Sequence, residues 1–135
     1  WNEDVKTLLT LADLVLLDVK EFNNDRHRKL TARSNEQTLK TAAWLEENQK
    51  PFWLRYVLVQ GYSYFREDIE DMGEHFKNYQ MIERVEILPY HTLGVHKYEA
   101  MNLEYQLKDV KCNTPEQLEE AKALFDKYFK TVYVN

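Results

Sequence analysis

Leu14-Val15-Leu16-Leu17-Asp18-Val19-Lys20 decides how the rest of the chain is read. Its uninterrupted apolar start is the pattern of a strand buried on both faces in a parallel sheet. Charge enters only at the end, and on one face. Strand side chains alternate with period two, so Leu14, Leu16, Asp18 and Lys20 stand opposite Val15, Leu17 and Val19. Upstream, Asn2 can cap a short helix with Val5, Leu8 and Leu9 on one side. Downstream, Ser34 with Gln37 reads as a capping box opening a helix to about Glu47. Pro51 to Val59 is a second strand, aromatic and β-branched, which Gly61 breaks. A helix follows with Ile69, Met72, Gly73, Phe76 and Tyr79 on one stripe, then a strand from Val85 to Tyr90. Thr114-Pro115-Glu116-Gln117 starts a helix that runs to about Phe129, with Leu118, Ala121, Phe125 and Phe129 inward. Thr131 to Val134 is a last short strand. Strands alternating with helices predict a parallel α/β architecture. A chain of 135 residues is too short for a complete eight-stranded barrel of about 250 residues, but it can form part of one. Residues 1–135 read as a single α/β domain.

Composition excludes several classes. Hydrophobic residues make up 44% and charged residues 30%, which argues for a globule and against disorder. No apolar run approaches the roughly 20 residues that span a bilayer, and the acidic start Trp1-Asn2-Glu3-Asp4 is unlike a signal peptide. The expected compartment is the cytoplasm, with no membrane partner. The net charge is −5 and no basic stripe interleaves with aromatics, so nucleic acid is not an expected partner. Cys112 is the single cysteine; alone it makes neither a disulfide nor a metal or cluster site.

In parallel α/β folds chemistry gathers at the carboxyl ends of strands. There the chain offers Asp18 and Lys20, then Arg55 in phase with Trp53, Val57 and Val59, then His91 just past the third strand. A half-buried arginine needs an anion, and Lys with Arg suits a carboxylate or phosphate. Each of these residues taken singly is more often a solvated strand end or a satisfied side chain. Their convergence on one predicted rim makes them a candidate site. His27 and Arg28 read as part of a polar loop, and His75 lies on a helix. No spacing of His, Asp and Glu forms a metal site, and with three glycines the chain carries no glycine-rich phosphate loop.

The ordered motifs resemble the pyruvate formate-lyase activating enzyme family, radical S-adenosylmethionine (SAM) activases of glycyl radical enzymes. Leu16-Leu17-Asp18-Val19-Lys20 matches a strand ending in Asp-x-Lys, and His27 to Ser34-Asn35 a His…Thr-Gly-x-Ser-Asn loop. Trp53-Leu54-Arg55-Tyr56-Val57 matches the arginine-bearing strand. Leu88-Pro89-Tyr90-His91 with Leu93-Gly94-x-His96-Lys97-Tyr98 matches a Leu-Pro-Tyr-His…Leu-Gly-x-His-Lys segment. The resemblance implies the second half of a partial (β/α)6 TIM-like barrel that binds SAM through Asp18, Val19, Lys20, Arg55 and His91. Lys20 would then lie near the methionyl carboxylate, and Asp18 is a candidate cation contact. His27, Ser34, Asn35, His96, Lys97 and Tyr98 would face the protein substrate.

The implied partner is a glycyl radical enzyme, with pyruvate formate-lyase the nearest, and flavodoxin or a similar reductant serves the full-length enzyme. There a 4Fe-4S cluster cleaves SAM to a 5′-deoxyadenosyl radical, which leaves a glycyl radical on the partner. Two departures stand out. The cluster motif Cys-x-x-x-Cys-x-x-Cys is absent, so the 4Fe-4S cluster belongs to the full-length enzyme only and this fragment holds no catalytic residue. It is expected to be inactive alone. Ala32 replaces the loop glycine, which puts that loop's backbone shape in question. The alternatives are an activase of another glycyl radical enzyme, a barrel enzyme forming a Schiff base on Lys20, and a non-catalytic half-barrel that binds a ligand or peptide.

Overall fold

A computed structural model describes residues 2–90 and 113–134. The elements run α1 (Glu3–Leu11), β1 (Val15–Asp18), α2 (Asn24–Thr31), α3 (Glu36–Glu47), β2 (Phe52–Leu58), α4 (Arg66–Phe76), β3 (Ile82–Pro89), α5 (Pro115–Asp126) and β4 (Val132–Val134). The expected parallel α/β fold is present: four parallel strands lie in the order β1-β2-β3-β4. The order never reverses. Right-handed crossovers that always advance in one direction place successive helices on one face, as in a barrel wall. Ala42 and Leu45 of α3, Ile69, Met72 and Phe76 of α4, and Ala121, Leu124 and Phe125 of α5 accordingly form one core. They pack on Val19 of the β1 end, Phe52, Leu54, Tyr56 and Leu58 of β2, and Val85 and Ile87 of β3. The other face carries a smaller cluster of Leu30, Val57, Val59, Leu88 and Tyr90.

The α5 start forms as its sequence predicts. The Thr114 hydroxyl accepts from the Gln117 amide, and Gln117 Oε1 accepts from the Thr114 amide in return. Other expectations are corrected. His27 and Arg28, read as part of a loop, lie in α2, which forms because Asn23 Oδ1 accepts from the Arg26 amide and Leu30 is buried against β2 and β3. The Ser34–Gln37 capping box does not form; the cap position is Asn35, whose side chain is turned elsewhere, while Ser34 Oγ accepts from the Glu36 amide. β1 is not buried on both faces: Leu16 is 49% exposed on the side away from the helices. The third strand starts at Ile82, three residues early. In α1 only Leu9 packs on the core, and Leu8 and Leu11 are exposed.

Gly73 lies where α4 crosses the segment after α5, and a Cβ there would overlap the Tyr128 ring. Gly73→Ala is therefore expected to lower stability by about 1–3 kcal/mol, the range for overpacking, despite its better helix propensity. Urea denaturation measures this; an unchanged midpoint would mean that Tyr128 swings clear.

Candidate functional site

Register places the charges. Asp18 pairs with Arg55, and Arg55 with Glu86, so a carboxylate, a guanidinium and a carboxylate lie side by side on the face away from the helices. Arg55 Nε lies 3.8 Å from Asp18 Oδ1, which is a Coulombic contact and too long for a hydrogen bond. That Asp18 oxygen is buried and has no hydrogen-bond partner among the described residues. Burial raises the Asp18 pKa above its ordinary value, against the pull of Arg55 and Lys20. Burial likewise lowers the Lys20 pKa; Asp18 opposes the shift and Arg33 adds to it. Val19 directs its side chain into the helix-side core and its amide to the Arg55 carbonyl at 2.8 Å, which leaves its carbonyl for a ligand.

One layer nearer the amino ends, Arg84 stacks on Trp53 at 3.7 Å and Tyr133 at 4.7 Å and pairs with Glu86 at 3.0 Å. The sequence reading overlooked Arg84 and Glu86. Their signal was phase: Arg84 and Glu86 fall on one face of the strand, in step with Leu88 and Tyr90. Towards the carboxyl ends the same face turns apolar through Val57, Val59, Leu88 and Tyr90, with Leu30 of α2 packed against them. The mouth thus sets an apolar wall beside a polar corner of Asp18, Lys20 and Arg55.

The segment after β1 is fastened to itself. His27 is buried, and its Nδ1 donates to the Arg33 carbonyl at 2.7 Å. A carbonyl can only accept, so the ring carries a proton on Nδ1. Burial lowers the His27 pKa, the Arg33 bond opposes that, and Lys20 adds to it. Asn35 is 3% exposed and donates through Nδ2 to the carbonyls of Phe22 at 2.6 Å and Glu21 at 3.3 Å. Asn24 Oδ1 accepts from Ser34 Oγ and the Asn35 amide. Ala32 adopts the left-handed conformation, φ 63°, that ends α2, so the turn forms despite the missing glycine. A cavity of about 210 Å³ opens here, lined in part by Asp18, Lys20, His27, Arg33, Gln37 and Thr38. His91, His96, Lys97 and Tyr98 lie outside the described residues, as does Cys112.

A larger cavity, about 560 Å³, lies at the amino ends of β3 and β4 beside Tyr128. It is at the wrong end of a parallel sheet for chemistry, since the strand-end loops that carry functional groups open at the carboxyl ends. Among the described residues no three His, Cys, Asp or Glu side chains cluster as metal ligands, and no helix is long and apolar enough to cross a membrane.

No family model matches the chain. It is 41% identical over 124 residues to a pyruvate formate-lyase-activating enzyme of Streptococcus mutans, covering 92% of this chain and 47% of that one. The same identity holds over 121 residues to the enzyme of that name from Staphylococcus epidermidis, at 90% and 48% coverage, and over 109 residues to one from Staphylococcus aureus, at 81% and 43%. The chain therefore spans about half the length of the curated relatives it matches. A crystal structure of a domain of pyruvate-formate lyase-activating enzyme from Bacteroides vulgatus superposes with a TM-score of 0.81, covering all of this chain and 74% of that one. At 18% identity that likeness establishes the fold alone.

Proposed function

We propose, for a chain whose curated homologues are pyruvate formate-lyase-activating enzymes, that it is the C-terminal half-barrel of a radical SAM activase and carries part of the SAM site. The observation that carries this reading is the mouth itself: Lys20, Arg55 and an unpartnered buried oxygen of Asp18 beside the wall of Val57, Val59, Leu88 and Tyr90. Those residues fit SAM. Its carboxylate calls for cations, its ammonium and sulfonium for an acceptor, and its nucleoside for apolar surface. SAM, when bound, would supply the 5′-deoxyadenosyl group for hydrogen abstraction from the partner.

This chain's own residues bind and orient. Lys20 and Arg55 hold the methionyl carboxylate, Asp18 accepts from the amino group or holds a cation, Val19 lends its backbone, and His91 contacts the nucleoside. Leu30 and the apolar wall exclude water, which protects a reactive carbon centre. The residues present do not fit a 4Fe-4S cluster, because one cysteine cannot ligate it, and no cluster step is assigned to this chain. The segment from His27 to Asn35, with His96, Lys97 and Tyr98, is read as facing the protein partner. That partner is a glycyl radical enzyme, pyruvate formate-lyase by homology, in a cytoplasmic setting where flavodoxin or a similar reductant serves the whole enzyme.

Calorimetric titration with SAM tests the reading. The expected result is binding that Lys20→Ala weakens by about tenfold or more, the loss of one charge-assisted contact, with no 5′-deoxyadenosine formed by this chain alone. Binding unchanged by Lys20→Ala and by Arg55→Ala would sink it.

A further inference from the structure

The segment from Lys20 to Lys40 carries six lysines and arginines and three acids, in a chain whose net charge is −5. Folding widens that imbalance. Of the acids, Glu21 is buried, and burial beside Asp68 pushes its pKa up to about 8, so it is neutral at physiological pH. Only Asp25 and Glu36 remain exposed. Of the cations, Arg26 is committed to Asp68 and Glu67 and stacks on Phe65. Arg28, Arg33 and Lys40 are exposed and form no ion pair among the described residues. Arg33 also comes near enough to Lys20 to disfavour its charge, so two like charges converge on the cavity of about 210 Å³. Asp18 on that wall already faces Arg55.

Lys20 has Asp18 beside it, whereas Arg33 forms no ion pair among the described residues, and like charges across a cavity are eased by water or an anion between them. The cavity is smaller than the ~300–1,000 Å³ of whole small-molecule sites and has room for about one side chain.

We propose that this rim docks an acidic segment of the partner polypeptide, one carboxylate entering the cavity beside Arg33 while Arg28 and Lys40 steer it. The proposal rests on the reading above, in which this segment faces a protein partner, and adds the chemistry of what it meets. Nucleic acid fits less well, because no exposed aromatic side chain lies in the patch to stack on bases and Asp25 and Glu36 flank it.

The test is amide chemical-shift mapping of the isotope-labelled full chain titrated with a blocked, alternating Glu-Gly peptide. Shifts should concentrate in residues 27–40, and affinity should fall about tenfold between about 20 and 150 mM NaCl, as expected of exposed charges. The double variant Arg28→Glu/Arg33→Glu should lose binding about tenfold or more, whereas Arg33→Lys, which keeps the charge, should retain it. A Lys-Gly peptide should leave these amides unmoved. Shifts scattered over the whole surface, or a double variant that binds as before, overturn the proposal. So does tighter binding of a single-stranded oligonucleotide than of the peptide. Titrating SAM separately keeps the two ideas distinct: SAM binding without peptide binding sinks only the docking surface, and peptide binding without SAM binding sinks only the SAM site.

Discussion

Glu21→Gln is expected to make the protein more stable than its parent above pH 8 and nearly equal to it at pH 4.5. The Glu21 side chain is fully buried; its Oε1 accepts from the Asn23 amide, and its Oε2 has no partner while both acids are ionised. Two carboxylates cannot hydrogen-bond each other. Once Glu21 holds a proton, Oε2 becomes a donor, and the buried Asp68 carboxylate is the acceptor beside it. Asp68 in turn pairs with Arg26. Burial first, then Asp68, raises the Glu21 pKa from 4.5 to about 8, against the Asn23 amide. The sign follows from linkage. A group whose folded pKa is raised contributes its full stability below the unfolded value, loses it progressively from pH 4.5 to about 8, and contributes nothing more above. At 1.36 kcal/mol per unit, the parent should lose about 5 kcal/mol across that window that the glutamine variant keeps. Urea unfolding at several pH values measures the difference. Parallel stability curves for the two proteins would show that Glu21 ionises normally and that the pair with Asp68 does not form.

Asn35→Asp carries the second large effect, in the opposite direction and with the opposite pH dependence. The Asn35 amide donates to two backbone carbonyls and is sealed from solvent. The oxygen that replaces Nδ2 would face two acceptors, and a buried charge so placed costs about 3–5 kcal/mol. The introduced acid would hold a proton to escape that cost. Its folded pKa would rise above the unfolded value, so stability should approach the parent's below about pH 4, the ordinary Asp range, and fall as pH rises. The carbonyls it releases belong to Glu21 and Phe22, directly after Lys20. Loosening them should therefore also weaken SAM binding at neutral pH, with partial recovery in acid. A variant that unfolds at the parent's urea midpoint at neutral pH would show that water replaces the amide.

Much of this was legible in the sequence because it depends on local rules. The apolar run before Asp18, the Thr114-Pro115 start and the stripe through Ile69 and Phe76 each reflect a period or a cap within a few residues. Strand phase alone put Asp18 and Lys20 on the face opposite Val19 and put Arg55 with Trp53, and register then made Asp18 and Arg55 neighbours. α2 was not legible. Its segment, Asn-Asp-Arg-His-Arg-Lys-Leu-Thr, is too polar to announce an amphipathic helix. It is held by one buried leucine, a capping asparagine and the distant Asp68. The capping box at Ser34 was misread for a related reason, since the serine hydroxyl serves Asn24 and the Glu36 amide and the cap position falls to Asn35.

The sequence by itself determined the alternation of elements, the parallel fold and the polar residues at the strand ends, because periodicity and capping act over one or two turns of chain. Only the tertiary structure decided that Arg84 lies between Trp53 and Tyr133, that Asn35 clasps the backbone behind Lys20, and that burial raises the Glu21 pKa. Each of these depends on partners brought together from distant segments and on the loss of water around them, and neither is set by residues adjacent in the chain.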